Sequence, residues 1–319
     1  MSSKDHNKVV IALGGNALMQ KYDSGSAEEQ FKQSRKSLKP LMHFIEKNYN
    51  ICITHGNGPQ VGLELMKNEI SDSDEIPSLP LGVLTAHTQG GIGYIVQQSL
   101  LNLLSKEGID KEVVTLISQV KVNSNDPAIK NPTKYIGKRY KTEDSKVMIK
   151  KYGWQMKEQE KDVWRRVVAS PTPQYLFNGN SIKHMMEFGT IVIAAGGGGI
   201  PAYIKQDKGL RLVEGVIDKD MTSALLARIV KSKEFFIITD VDYVYLNYNS
   251  DNSKKIKMCN LNQLKEWLNE GHFKEGTMKP KIEAAIYFLE HHGEKAVITS
   301  IENISDAINE KAGTIIKKV

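Results

Sequence analysis

Short apolar runs that each empty into glycine set the pattern of this chain. Val9-Val-Ile-Ala-Leu13 carries no charge. A run of that length and composition predicts a parallel strand buried on both faces of a sheet. Gly14-Gly15-Asn16 then breaks it. Ile51-Cys-Ile-Thr54 repeats the theme and ends in His55-Gly-Asn-Gly58, and Ile191–Ala195 ends in Gly196–Gly199. Glycine lets the backbone turn sharply and bring its N–H groups near a ligand. Three such loops at strand ends imply one oxyanion-binding crevice at the carboxyl edge of an open α/β sheet.

Helical spacing fills the gaps between the runs. Phe31, Leu38, Met42 and Ile45 mark an apolar face that Pro40 should kink or divide. Pro59 suits the first turn of a helix carrying Val61, Leu65 and Met66. Leu84–Leu104 reads as a helix whose beginning, at Gly90, Gly91 and Gly93, forms a close-packed or ligand-facing turn. Further strands are expected at 113–117, 190–195, 234–239, 296–299 and 314–316, and helices at 181–188, 221–230, 261–270 and around Ile282–Leu289. Gln20–Ala27 reads as a polar connection. Residues 123–173, with many charges and few long apolar runs, read as an insertion off the main sheet, partly a hairpin-like flap. The alternation predicts an α/β fold: a three-layer α/β/α sandwich with a mostly parallel central sheet and a protruding subdomain.

Composition narrows the function. The 319 residues carry 43 basic and 37 acidic side chains, a net charge of +6. No dense basic block with interleaved aromatics occurs, so neither nucleic acid nor a membrane is an expected partner, and a small anionic ligand suits the sign. The two cysteines, Cys52 and Cys259, are too few for a disulfide framework or a cysteine metal cage. A polar N-terminus without a signal-like segment makes a cytoplasmic location the expectation.

The candidate chemistry is cationic. In Glu214-Gly-Val-Ile-Asp-Lys-Asp220, the acidic residues either cap the following helix or orient Lys219 on a phosphoryl group. Lys281 sits at a helix start, where the macrodipole disfavours a cation, so it should have a ligand. Lys134, in Asn131-Pro-Thr-Lys-Tyr-Ile-Gly137, reads on composition as an exposed loop lysine. His55 reads as structural, and the pair His291-His292, closing a helix, as solvent-facing or dipole-related. No Walker-type phosphate loop and no His-Arg-Asp kinase motif is present.

Taken together, Ala12–Ala17, His55–Gln60, Asn131–Gly137, Ala195–Pro201, Val216–Asp220, Asp240–Val244 and Pro280–Ala285 resemble the motifs of the amino-acid kinase superfamily. Within it they are similar to those of the carbamate kinase family. Relatives that phosphorylate acetylglutamate or aspartate usually carry a lysine where this chain has Ala12, whereas carbamate kinases use a lysine of the protruding subdomain, which Lys134 matches. Tyr135 stands where the family often has proline.

The resemblance implies reversible transfer of the ATP γ-phosphoryl group to carbamate, run physiologically toward ATP in arginine deiminase-type catabolism. It implies Lys134, Lys219, Lys281 and Asp220 as catalytic residues. Gly14, Gly15, Asn16, Gly56, Asn57 and Gly58 would bind carbamate or carbamoyl phosphate through backbone N–H groups. Lys219, Thr239, Asp240, Tyr243, Tyr245, Met278 and Lys281 would bind ATP or ADP, with Mg²⁺ carried by the nucleotide and no dedicated protein metal site. It further implies a homodimer and one catalytic unit over 7–319: an acceptor lobe at about 7–213 with the flap at about 123–173, and a nucleotide lobe at about 214–319. The alternatives are another kinase of the fold, acting on acetylglutamate or UMP, and a non-catalytic nucleotide sensor.

Overall fold

The structure, a computed structural model, describes residues 7–15, 26–248 and 250–319. Asn16 and most of the expected 20–27 connection lie outside the described residues.

An eight-stranded sheet forms the middle layer. From one edge its strands are Met258–Asn260, Thr314–Lys317, Lys295–Thr299, Glu234–Ile238, Lys8–Leu13, Asn50–His55, Ile191–Ile193 and Val113–Thr115. Every neighbouring pair is parallel except Lys295–Thr299 with Thr314–Lys317. The uncharged runs occupy the centre because both of their faces are covered. Val10, Ala12, Cys52, Phe235 and Ile237 pack into one apolar cluster. Val9, Ile11, Leu13, Ile51, Ile53 and Phe236 pack into the other. That alternation is the two-residue period of a strand, and each Val, Ile, Leu or Phe among them contributes about 1.5–3 kcal/mol on burial. Helices Lys219–Ile229 and Lys279–His291 cover the first face, and Leu81–Lys106 with the segment around Phe44 covers the second.

Residues 134–168 form a separate antiparallel sheet of strands Lys134–Tyr140, Val163–Val168 and Met156–Glu160, with helix Thr142–Tyr152 between the first two in sequence. This is the expected flap, with more regular structure than a hairpin. Lys134 opens a strand instead of lying in a loop.

Several boundaries differ from the sequence reading. Helix Leu81–Lys106 runs unbroken through Gly90, Gly91 and Gly93, so no turn forms there. Gly93 instead permits close packing, since a Cβ on it would lie 2.1 Å from Thr115 Cγ2. The expected strand at 113–117 stops at Thr115, and Gln119–Lys121 joins a second, four-stranded sheet. The strand expected at 190–195 covers only Ile191–Ile193, because Ala195 turns left-handed at φ 52°. The edge strand Met258–Asn260 was not expected; it is three residues long, too short for a periodic signal. Asn260 does cap helix Leu261–Asn269, in a capping box with Gln263. Among the described residues no helix is long and apolar enough to cross a membrane.

Candidate active site

Parallel register brings the glycine loops to one edge of the sheet. Leu13 pairs with both Ile238 and His55, so the segments that follow all leave the same side. Gly15 and Gly56 touch: a Cβ on Gly56 would lie 3.0 Å from the Gly15 nitrogen.

Not every N–H there is open to an anion. Gly14 N–H donates to Ile238 O at 2.9 Å and Gly56 N–H to Leu13 O at 3.0 Å, extending the ladder by one bond on each side. The expectation that Gly14 and Gly56 present their N–H groups to the acceptor is therefore corrected; both shape the loop. The amino end of helix Gly58–Ser71 is better placed. Asn57 makes no side-chain cap, and its Nδ2 instead donates to Thr88 Oγ1 at 2.9 Å. The first-turn dipoles of that helix thus face the crevice uncapped.

The third loop is a support. Gly196–Gly199 are all buried. A Cβ on Gly196 would lie 2.5 Å from the His55 ring, and one on Gly197 2.3 Å from Asn57 Nδ2. Gly197 also has φ +63°, which a side chain disfavours. These glycines let the backbone pass directly beneath His55 and Asn57. Their order along the sequence suggests an open crevice wall, but only the packing distinguishes wall from floor.

Helix Lys219–Ile229 supplies the charged centre. Asp218 caps it, its Oδ1 accepting from Asp220 N and Met221 N, both at 3.0 Å. The two acidic residues therefore divide the roles left open by the sequence: Asp218 caps, and Asp220 points inward, buried. Lys219 Nζ donates to Asp220 Oδ1 at 2.6 Å, and Lys281 Nζ donates to Asp220 Oδ2 at 2.8 Å. Burial alone would push the Asp220 carboxyl up; the two ammonium groups more than reverse this and hold it at about 2. Burial pushes the Lys219 ammonium down, with Lys281 adding to the effect and Asp220 opposing it. Ser223 Oγ donates to Lys219 O at 2.7 Å and lies 2.6 Å from Thr54 Oγ1, which pins the helix start to the second strand. His55 is buried, its Nδ1 3.0 Å from Gly56 O. Burial, with Lys219 contributing, lowers its pKa to about 4, so it is neutral at pH 7.

A cavity of about 790 Å³ opens beside this centre. Thr239, Asp240, Tyr243, Tyr245, Met278 and Lys281, all expected nucleotide contacts, line it. Lys219 does not, although Lys281 joins it to the cavity through Asp220. Tyr248, His272 and Phe273 also line the cavity and were missed. His272 reaches Asn247 Oδ1 at 2.7 Å and Glu270 Oε2 at 2.9 Å. The glycines at 271 and 276 were the available sign of a ligand-facing turn.

Lys134 lines a second cavity, about 470 Å³, together with Asn57 and Gly58. The fold thus carries Lys134 to the loop at Asn57 and Gly58. His291 and His292 are exposed at their helix end, as expected.

An open parallel sheet, glycine loops at its carboxyl edge and lysines around a buried carboxylate define a phosphoryl-transfer fold. The chain belongs to the amino acid kinase family, whose sequence model matches residues 7–300. Its relatives include carbamate kinases of almost equal length. It is 44% identical over 308 residues to the carbamate kinase of Pyrococcus furiosus, covering 96% of this chain and 98% of that protein. It is 44% identical over 314 residues to that of Staphylococcus haemolyticus, covering 98% and 100%. The carbamate kinase from Giardia lamblia bound to AMP-PNP superposes with a TM-score of 0.92 at 34% identity, covering 99% of each chain.

Proposed function

We propose that the chain catalyses ATP + carbamate ⇌ ADP + carbamoyl phosphate and works chiefly toward ATP, in the arginine deiminase type of catabolism. The observation that carries this reading is Lys281, which both lines the nucleotide-sized cavity and shares Asp220 with Lys219. One lysine so placed links the nucleotide's terminal phosphates to the charged centre.

The chemistry needs little beyond positioning and charge. Carbamate is already an anion, so no general base is required. In a loose phosphoryl-transfer transition state, negative charge spreads over the equatorial oxygens. Lys219 and Lys281 would meet it from the nucleotide side and Lys134 from the flap, with Asp220 holding the first two in place. Gly15, Asn57 and Gly58 would receive acceptor oxygens, with Asn16 as the family resemblance suggests. ATP or ADP would occupy the cavity at Thr239, Asp240, Tyr243, Tyr245 and Met278.

Mg²⁺ would enter with the nucleotide. Among the described residues no group of three or more His, Cys, Asp or Glu could hold a metal. Mg²⁺ on phosphates takes at most one or two protein carboxylates. Asp240, on the cavity wall, would supply one. When bound, the ion supplies charge neutralisation on the phosphates.

We further propose that residues 7–319 act as one catalytic unit. The acceptor lobe would span 7–213 with its flap at 123–173, and the nucleotide lobe 214–319. A cytoplasmic homodimer is the assembly we favour. A coupled assay for ATP from ADP, Mg²⁺ and carbamoyl phosphate tests the activity: rapid ATP formation is expected. ADP binding without turnover would refute it and turn attention to acetylglutamate, UMP and then a sensor role.

A further inference from the structure

Two neighbouring arginines on the flap face opposite ways, as successive residues of a strand must. Arg166 is committed elsewhere: its Nη2 donates to Glu214 Oε2 at 3.0 Å, and its guanidinium lies 4.5 Å from the Trp154 ring. Arg165 instead lines the cavity that holds Asn57, Gly58 and Lys134. Its Nη2 donates to Gly137 O at 3.0 Å, which sets the plane of the guanidinium against the bulged flap strand. Its Cζ lies 5.8 Å from the Tyr135 ring centre. Its Nε is buried and, among the described residues, has no hydrogen-bond partner.

The charges on this cavity are unbalanced. Three cations line it: Lys134, Lys138 and Arg165. Lys138 is neutralised by Glu69, whose Oε2 lies 2.9 Å from its Nζ. No carboxylate of the described residues forms an ion pair with Lys134 or Arg165. Register places Lys134 on the flap-sheet face of Ile136 and Arg166, and Arg165 on the opposite face with Tyr135; both line the cavity beside helix Gly58–Ser71, whose amino end is itself a weak positive pole. Burial pushes the Arg165 pKa down, and Arg139 adds to this. The guanidinium still remains charged at any physiological pH. A partly buried guanidinium without a carboxylate partner is costly until an anion arrives.

We propose that Arg165 is a substrate-binding residue that receives oxygens of carbamoyl phosphate from the flap side. A guanidinium presents a planar fork of donors that suits two oxygens at once, which a lysine cannot copy. The inference rests on the phosphotransfer reading above and adds a residue to it.

Kinetics of ATP formation in wild type, Arg165→Met and Arg165→Lys test it. Arg165→Met should raise KM for carbamoyl phosphate by about 10- to 100-fold, the size of a lost charge-assisted hydrogen bond. KM for ADP should not move, and Arg165→Lys should fall between. An unchanged KM for carbamoyl phosphate would overturn the proposal, as would an equal rise in both KM values, which marks a disturbed flap. Calorimetric titration with inorganic phosphate, without nucleotide, separates this from the broader reading. If wild type makes no ATP, the phosphotransfer reading fails. Phosphate bound by wild type and lost in Arg165→Met still supports the anion contact, and equal binding in the two overturns it. Should Arg165→Met not fold by circular dichroism, Arg165→Lys supplies both measurements.

Discussion

Asp220 accepts Lys219 on one carboxylate oxygen and Lys281 on the other, at 2.6 and 2.8 Å. The two lysines stand far apart in sequence and come from the starts of two helices that pack on the same face of the sheet. Each would repel the other without the carboxylate between them. In Asp220→Asn the Coulombic anchor is gone while the shape remains. Turnover in the coupled assay should drop by about 10²–10³-fold, the usual effect of losing one preorganised electrostatic contact. Circular dichroism should be unchanged, and wild-type turnover in Asp220→Asn would remove Asp220 from the mechanism.

Lys134 has a different role. It shares a cavity with Asn57 and Gly58 but does not line the cavity containing Tyr243 and Met278. Lys134→Ala should therefore lower kcat by about 10²–10³-fold and leave ADP affinity, measured by calorimetry, as in wild type. A matching loss of ADP affinity would place the lysine on the nucleotide instead.

Glu69 holds the flap strand in line with helix Gly58–Ser71. Its Oε1 accepts from Tyr140 OH at 2.6 Å, and Lys138 Nζ lies 2.9 Å from its Oε2. The strand that carries these two residues begins at Lys134, and the helix that carries Glu69 begins just after Asn57. Glu69→Ala should therefore slacken the placement of Lys134. The double mutant with Lys134→Ala should be no slower than Lys134→Ala alone, a coupling between contacting networks that distant sites lack. Additive losses in that cycle would show that Glu69 serves only the fold.

His55 sets an acid limit on stability. An ordinary histidine titrates near 6.5, and burial lowers His55 to about 4. Between these values the unfolded chain binds a proton that the folded chain refuses. Stability is thus fully present above about pH 6.5 and declines as the pH falls toward 4, by up to roughly 3 kcal/mol. Urea unfolding at pH 7 and pH 5 should show the loss, and His55→Asn should show a smaller pH dependence. Asp220, held at about 2, adds its own loss only below the ordinary carboxylate range near 3.8.

The sheet's central strands, their glycine exits and the cationic character of the site were legible along the chain. Each rests on local facts: an uncharged run must be buried on both faces, and adjacent glycines must turn or admit a neighbour. Lys219 and Asp220 could be read as a pair because they are neighbours. The cavity lined by Tyr243 and Met278 was partly legible through the Asp240–Tyr245 segment, whereas His272 and Phe273, after a short helix end, carried no periodic signal.

Other features depend on contacts that no local pattern encodes. Whether Gly196–Gly199 lines the crevice or supports it depends on His55 and Asn57 lying directly above. The N–H groups of Gly14 and Gly56 are taken by neighbouring strands, which a single run cannot reveal. Lys134 and Arg165 share a cavity with Asn57 and Gly58 only because the flap folds along helix Gly58–Ser71. Local composition determines which segments are strands and loops, since burial and backbone freedom act residue by residue. Which charges stay unpaired is decided only when strand register and packing bring distant residues together.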